Sequence, residues 1–259
     1  MKKIILLIAA ACMACTAAFA QTVKPFKEGE RAVFLGNSIT DGGHYHSYIW
    51  LYYMTRFPDM PIRVFNGGIG GDTAYDMNKR LDGDIFAMKP SVLMVTFGMN
   101  DSGYFEYNGD KPKEFGEQKY QESVKNYQQM EKRFKDLPDT RIVMVGTSPY
   151  DETVQLKENT PFKTKNETIK RLVEYQKESA AKNNWEFTDL NAPMVALNQQ
   201  YQQKDPTFTL CGSDRIHPDN DGHMVMAYLF LKAQGFVGKE VADVEINANK
   251  KQAVKSENC

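Results

Sequence analysis

Residues 31–40 read RAVFLGNSIT, an apolar run that gives way to small and polar residues after Leu35. The run is typical of a strand buried in a β-sheet, and Gly36 allows the backbone to turn sharply where the strand ends. Ser38 is therefore predicted just beyond the C-terminal end of a strand, where open α/β sheets bind their ligands. A serine there can act as a nucleophile only if a base and hydrogen-bond donors converge on it, so the remaining chain must supply them.

Strand-like and helical segments alternate along the rest of the chain. Further strands are predicted at 63–66, 91–97, 141–146 and 185–190. Helices are predicted at 46–57, from a cap at Asp72 or Thr73 to Pro90, and at 114–136, 164–183 and 220–234, whereas 191–213 is predicted to be irregular. This β-α alternation predicts an α/β fold with a parallel sheet and helices on both of its faces.

The first twenty residues form a unit of their own. A basic start at Lys2-Lys3, an apolar segment at 4–11 and the small residues of Ala18-Phe19-Ala20 are typical of a secretory signal peptide. The apolar segment is too short to span a membrane, so we expect no stable membrane insertion after the signal is removed. We expect an exported protein that begins at Gln21 and resides in the periplasm or outside the cell.

A lipoprotein is the alternative for this leader. It would require a lipobox before Cys12 or Cys15, and neither cysteine has the usual leucine three residues upstream.

The 259 residues suffice for one large α/β domain, which we expect at 21–237, followed by a polar, lysine-rich tail at 238–259. The formal net charge is −1, without the strongly basic balance of a nucleic-acid-binding domain. We therefore expect no nucleic-acid partner, and the oligomeric state stays open.

Small or polar residues follow three of the predicted strands, namely Ser38, Gly71 and Asn100, and a later loop carries Asp214 and His217. Because the C-terminal ends of parallel strands lie at one edge of a sheet, these five residues can meet. His217 can accept the Ser38 proton, and Asp214 can hold the far nitrogen of the histidine ring. The Asn100 amide and the backbone N–H groups of Gly71 and Ser38 can stabilise a developing oxyanion.

The chain resembles the SGNH hydrolases, also called GDSL-type esterases, in four motifs that stand in the order of that family. The motifs are GNSIT at 36–40, GDT at 71–73, GMND at 98–101 and DRIHP at 214–218. The resemblance implies a flavodoxin-like, three-layer α/β/α sandwich with a five-stranded parallel sheet, and a serine esterase without a metal or other cofactor. It assigns Ser38, Asp214 and His217 to a catalytic triad, and Ser38, Gly71 and Asn100 to the oxyanion hole.

Two points of this match stay open. The family usually has an aspartate immediately before the serine, whereas this chain has Asn37, which puts in doubt any local contact that an aspartate would make. Several glycines between 67 and 71 also leave Gly68 as an alternative to Gly71, although Asp72-Thr73 follows Gly71 as the motif requires.

Other residues near the motifs allow a second interpretation. Gly68-Ile69-Gly70 resembles part of a dinucleotide-binding loop, but Thr73 stands where the last glycine belongs, so no nucleotide is expected. His44 and His46 lie near the nucleophile loop, yet a metal needs more ligands than two histidines. We therefore predict that His44 faces substrate, with a plain surface position as the alternative.

The loop after the third strand carries three aromatic residues, Tyr104, Phe105 and Tyr107. Aromatic rings beside a hydrolase site can stack against sugar faces, so Tyr104 and Tyr107 are predicted to bind substrate. The alternative is ordinary packing of the loop onto the domain.

These observations predict an exported carboxylic-ester hydrolase that acts on acylated carbohydrate or another acylated small molecule, in particular a deacetylase. A lipase, lysophospholipase or thioesterase is the alternative with the same chemistry. A non-catalytic carbohydrate-binding protein on an esterase fold is the alternative of another class, since a fold alone does not establish a function.

Overall fold

The computed structural model describes residues 22–157, 160–238 and 242–257, so the predicted signal peptide lies outside the described residues. The strands of the main sheet are β1 (Arg31–Gly36), β2 (Arg63–Gly68), β3 (Val92–Val95), β4 (Arg141–Gly146) and β5 (Glu186–Asp189). The α-helices are α1 (Ser38–Asp41), α2 (His44–Arg56), α3 (Ala74–Arg80), α4 (Pro112–Lys135), α5 (Lys165–Asn183), α6 (Asn191–Gln202) and α7 (Asn220–Ala233). The five predicted strands are confirmed, with boundaries within two residues of the prediction.

All five strands run parallel, in the order β2-β1-β3-β4-β5. This order is that of flavodoxin-like folds, in which the chain first adds β2 on one side of β1 and then β3 on the other. In open α/β sheets, ligands bind where the strand order changes direction, which here is at the C-terminal ends of β1 and β3. The loops that follow these two strands carry Ser38 and Asn100, respectively.

Successive residues of the central strands face opposite sides of the sheet, as the two-residue period of a strand requires. In β1, Ala32 and Phe34 pack into one core, and Val33 and Leu35 pack into the other. Helices α2 and α7 cover the first core, helices α3 and α4 cover the second, and α5 contributes to both. The predicted three-layer α/β/α sandwich is therefore confirmed.

Helix α6 occupies residues 191–202, which the sequence analysis predicts to be irregular. The Asp189 carboxylate accepts hydrogen bonds from the backbone N–H groups of Asn191 at 2.7 Å and Ala192 at 3.3 Å, which caps the helix. Pro193 lies in the first turn, where a missing N–H removes no intrahelical hydrogen bond. The prediction for 191–202 was wrong because a proline there is compatible with the start of a helix.

The C-terminal stretch also has more structure than the expected tail. Strands β6 (Asp243–Asn247) and β7 (Gln252–Glu257) form an antiparallel hairpin. Its few apolar side chains, those of Val244, Ile246 and Val254, are exposed, so the segment lacks the buried alternation that would have indicated strands.

None of the helices in the described part of the chain combines the length and the apolar character that crossing a membrane requires.

Candidate active site

Ser38 is placed by the turn that joins β1 to the short helix α1. Asn37 is the N-cap of that helix, and its side-chain oxygen accepts a hydrogen bond from the backbone N–H of Ile39 at 3.1 Å. A Cβ on Gly36 would collide with the side chain of Thr40, so the turn closes only with glycine at that position. Asn37 thus makes the local capping contact that an aspartate could make, which removes the doubt that this departure from the family pattern raised.

Ser38, His217 and Asp214 form an unbroken chain of hydrogen bonds. Ser38 Oγ lies 2.7 Å from His217 Nε2, and His217 Nδ1 lies 2.6 Å from Asp214 Oδ2. Because a carboxylate only accepts hydrogen bonds, Nδ1 carries a proton and Nε2 is left as an acceptor for the serine hydroxyl. The arrangement is suited to removing the proton of Ser38.

The protonation states of His217 and Asp214 depend on each other. The hydrogen bond with Asp214 raises the pKa of His217 above its ordinary value, against the opposing effect of partial burial. Partial burial works to raise the pKa of Asp214, but hydrogen bonds from the His217 ring and from the backbone N–H groups of His217 and Ile216 lower it overall. At neutral pH the aspartate is therefore ionised and can stabilise a positive charge on the His217 ring.

The loop that carries Asp214 and His217 is anchored by the side chain of Arg215. The side chain of Arg215 is buried, and its Nη1 donates to the backbone carbonyls of Asp151 at 3.1 Å and Val154 at 2.7 Å. Arg215 also adopts a left-handed backbone conformation, with φ of 68°, in the turn that lies between Asp214 and His217 in the sequence. Sequence reasoning missed this role because a buried arginine in a loop has no signature in a local pattern.

Gly68 and Gly71, the two alternatives for the oxyanion-hole glycine, differ in what surrounds them. The N–H of Gly68 donates to the Asn66 side chain at 2.9 Å, and a Cβ on Gly68 would collide with the backbone of Asp41. Gly71 has a left-handed φ of 83°, and its N–H donates to no acceptor among the described residues. Gly68 is therefore a packing residue, and Gly71 is the glycine whose N–H is available to a ligand.

The side-chain amide of Asn100 has a hydrogen-bond partner at each end. Its Nδ2 donates to the backbone carbonyl of Asp72 at 2.9 Å, and its Oδ1 accepts a hydrogen bond from the hydroxyl of Tyr104. The neighbouring Asp72 is held by Arg80 Nε at 2.6 Å. The Arg80 side chain also donates to the carbonyl of Gly67 at 2.8 Å, so one arginine connects the end of β2 to the glycine loop.

Asp101, the last residue of the GMND motif, has a structural role. Its buried carboxylate accepts from the backbone N–H groups of Ala74 at 2.9 Å and Gly98 at 3.0 Å and from the Ser123 hydroxyl at 2.9 Å. It thereby joins the loop after β3 to the start of α3 and to α4.

The predicted substrate-binding residues are not equally placed. Tyr107 is only 3% exposed, its hydroxyl donates to the Ser102 carbonyl at 2.8 Å, and the Thr168 hydroxyl, 2.9 Å away, can donate to it, so Tyr107 packs the loop and presents no ring face to a ligand. Tyr104 is half-buried, whereas its neighbour Phe105, for which the sequence predicts no substrate contact, is 79% exposed. The rings of Tyr104 and Phe105 both pack edge-on against Phe162.

His44 lies at the start of α2 and is exposed. Its Nδ1 lies 2.9 Å from Asn220 Oδ1, and its ring stacks on that of His223. His46 is buried instead, with Nε2 3.2 Å from the Thr40 carbonyl. The described residues contain no group of three or more His, Cys, Asp or Glu side chains arranged to hold a metal ion.

Comparisons with known proteins agree with this geometry. The sequence profile of the GDSL-like Lipase/Acylhydrolase family matches residues 34–225. An acetylxylan esterase from Geobacillus stearothermophilus is 27% identical over 224 residues, which cover 80% of this chain and 95% of that protein. A crystal structure of this esterase has a TM-score of 0.63 at 26% identity, over 81% of this chain and 96% of that one. Other solved forms of it are described as catalytic mutants in which a serine, an aspartate or a histidine is replaced by alanine.

A gut microbial diltiazem-metabolizing enzyme is much more similar, with 84% identity and a TM-score of 0.88 over 92% of this chain. The match covers 54% of that protein, so this chain spans about half of its length. The family profile covers most of the chain, and the sheet order and the motif residues agree with it. The chain therefore belongs to the GDSL-like lipase/acylhydrolase, or SGNH hydrolase, family, and it is a carboxylic-ester hydrolase.

Proposed function

We propose that this protein is an exported serine esterase that removes acetyl or other short acyl groups from carbohydrate through Ser38, His217 and Asp214. The observation that carries the proposal is the hydrogen-bond chain from Ser38 Oγ through the His217 ring to Asp214. In the acetylxylan esterase relative, the aspartate and histidine of the catalytic mutants are three positions apart, as Asp214 and His217 are here. This agreement supports the assignment of the triad.

In the acylation step, His217 Nε2 takes the proton of Ser38 as Oγ forms a bond to the carbonyl carbon of the ester. The carbonyl oxygen becomes an oxyanion, for which the N–H groups of Ser38, Gly71 and the Asn100 side chain are the proposed donors. The tetrahedral intermediate then collapses, the bond to the alcohol oxygen breaks, and His217 gives its proton to that oxygen. Asp214 stabilises the histidinium between these two transfers.

In the deacylation step, water replaces the alcohol. His217 removes a proton from the water, the oxygen attacks the acyl carbon, and the same donors receive the oxyanion. Collapse of this second intermediate breaks the bond to Ser38 Oγ, which recovers its proton from His217, and releases the carboxylic acid.

Three observations support a short acyl group and a carbohydrate alcohol. The curated relative is an acetylxylan esterase. An apolar groove of about 770 Å³ lies between α2 and α7, and its lining includes none of Ser38, Gly71 and Asn100, so it does not offer an acyl-chain channel at the nucleophile. The exposed ring of Phe105 follows Tyr104, which contacts Asn100, and such a ring can stack on a sugar face. Export is inferred from the leader at 1–20.

The test compares the wild-type protein with Ser38→Ala on p-nitrophenyl esters of increasing chain length, on acetylated xylo-oligosaccharides and on diltiazem, which carries an acetate ester. We expect turnover to be highest for acetyl esters and to be lost in a Ser38→Ala variant that retains the wild-type circular dichroism spectrum. A fluorophosphonate should label the wild-type protein only.

Other outcomes would favour the alternatives. Faster turnover of long acyl chains would favour a lipase or thioesterase. Full turnover by folded Ser38→Ala would end the serine-esterase proposal, and binding of xylo-oligosaccharide without labelling or turnover would favour the non-catalytic protein.

A further inference from the structure

The orientation of the Asn100 amide depends on Tyr104. An oxyanion hole requires an N–H of this amide to face the ester, and a flipped amide would present Oδ1 and repel the developing charge. The carbonyl of Asp72 can only accept a hydrogen bond, so the atom beside it must be Nδ2. The hydroxyl of Tyr104 donates to the other end of the amide, which must then be Oδ1.

These two contacts use one N–H and the oxygen of the amide. The second N–H of Asn100 has no acceptor among the described residues, which leaves it for a ligand. Tyr104 and Asp72 therefore contact opposite ends of the Asn100 amide. Both contacts favour the orientation in which Nδ2 lies beside the Asp72 carbonyl.

The ring of Tyr104 lies beside the buried amino group of Lys165. Lys165 is 0% exposed, and its Nζ donates to the carbonyls of Met99 at 2.7 Å and Gly103 at 2.5 Å and to Ser102 Oγ at 2.6 Å. Burial lowers the pKa of Lys165 well below its ordinary value, and the nearby carboxylates of Asp101 and Glu152 oppose that shift. The three oxygen atoms around Nζ match the three N–H donors of an ammonium group. Lys165 Nζ lies 3.9 Å from the centre of the Tyr104 ring, within the range of a cation–π contact.

We propose that Tyr104 is a positioning residue for ester hydrolysis, because its hydroxyl fixes the Asn100 side chain with Nδ2 toward the oxyanion. The inference rests on the proposed function and replaces the expectation that Tyr104 binds substrate. Lys165 contacts the face of the Tyr104 ring and helps to hold the ring in place.

The test is a double-mutant cycle between Tyr104→Phe and Asn100→Ala, with kcat and KM measured on p-nitrophenyl acetate. Tyr104→Phe keeps the ring over Lys165 and removes only the hydroxyl. We expect kcat to fall about 3- to 10-fold, the equivalent of one neutral hydrogen bond, with KM changed less than twofold. In the Asn100→Ala background the same substitution should change kcat less than twofold, since the group that Tyr104 positions is gone.

Tyr127→Phe is the matched control. It removes another buried hydroxyl, which lies 2.8 Å from Ser179 Oγ and does not touch Asn100. It should keep the wild-type kcat even if both variants lose a similar amount of thermal stability.

Four results would overturn the proposal. Unchanged kcat in Tyr104→Phe would remove the positioning role, a change confined to KM would return Tyr104 to direct substrate contact, and effects that multiply in the double variant would make the two residues independent. If Asn100→Ala itself has wild-type kcat, both this inference and the donor role of Asn100 fail. Failure of the serine mechanism is a distinct result, because it would appear as activity of the Ser38→Ala variant.

Discussion

The two loops that supply the proposed catalytic groups are held in opposite ways. Buried side chains hold the loop after β3 in place. The Asp101 carboxylate and the Lys165 amino group form hydrogen bonds with backbone groups of this loop. The loop before α7 has a buried anchor in Arg215, but Asp214 and His217 themselves are 47% and 48% exposed.

This difference matches the two tasks. An oxyanion donor stabilises charge only if it is already oriented when the charge forms, so a rigid and buried support is favourable. A general base must exchange its proton with the serine, the leaving alcohol and water, and burial would disfavour its charged form. We therefore expect substitutions of the half-exposed Asp214 and His217 to change turnover alone, and substitutions of the buried residues that hold the first loop to change stability as well.

The largest expected effect is that of His217→Ala. Loss of the base should lower kcat about 10⁴- to 10⁶-fold, in line with other Ser-His-Asp enzymes. The free energy of unfolding should change by less than about 0.5 kcal/mol because the side chain is half exposed. Ester turnover and urea unfolding measure the two quantities, and a strongly destabilised variant would contradict the contrast between the loops.

Asn100→Ala comes next. Loss of one oxyanion donor should lower kcat about 100- to 1,000-fold with little change in KM, because the donor acts mainly in the transition state. Asn108→Ala, at an exposed asparagine further along the same loop, is the control and should keep the wild-type rate. An effect on KM alone would place Asn100 in ground-state binding.

Asp101→Ala tests the support of the first loop. It leaves Ala74 N, Gly98 N and the Ser123 hydroxyl without their buried acceptor. We expect the free energy of unfolding to fall by about 2–3 kcal/mol, as for other buried charged hydrogen-bonding groups, and kcat to fall with it. Asp110→Ala, at an exposed aspartate, is the control. Equal stability of the two variants in urea would show that the buried hydrogen bonds of Asp101 do not stabilise the loop.

The smallest expected effect is a displacement of the pH profile. His217 must be neutral to accept the Ser38 proton, and its pKa is raised chiefly by the hydrogen bond with Asp214. Activity should therefore be lost as pH falls through a midpoint above the ordinary histidine value of about 6.5. Asp214→Asn should move that midpoint down and lower the rate.

Chelation distinguishes this base from a metal-bound water, which can titrate near pH 7. Turnover at the optimum pH should be retained in EDTA. Loss on chelation that a divalent metal restores, or a midpoint that Asp214→Asn leaves in place, would mean that another group is the base.

Much of this architecture could be read from local patterns. The apolar run at 31–36 and the continuous run at 91–97 identify buried strands, and β-α alternation implies a parallel sheet whose C-terminal edge collects Ser38 and Asn100. Helix α6 was missed because its first turn contains Pro193, and the hairpin at 243–257 was missed because its apolar residues face solvent.

The sequence by itself determined the fold class, the family and the order of the motifs, because hydrophobic period, strand-end glycines and motif spacing are properties of neighbouring residues. Only the tertiary structure decided that Gly71 rather than Gly68 has an available N–H, that Tyr107 is buried, and that Tyr104 and Lys165 support Asn100. The physical reason is distance along the chain. Lys165 meets Met99 across 66 positions and His217 meets Ser38 across 179, and contacts of that kind depend on how the layers pack rather than on any local pattern.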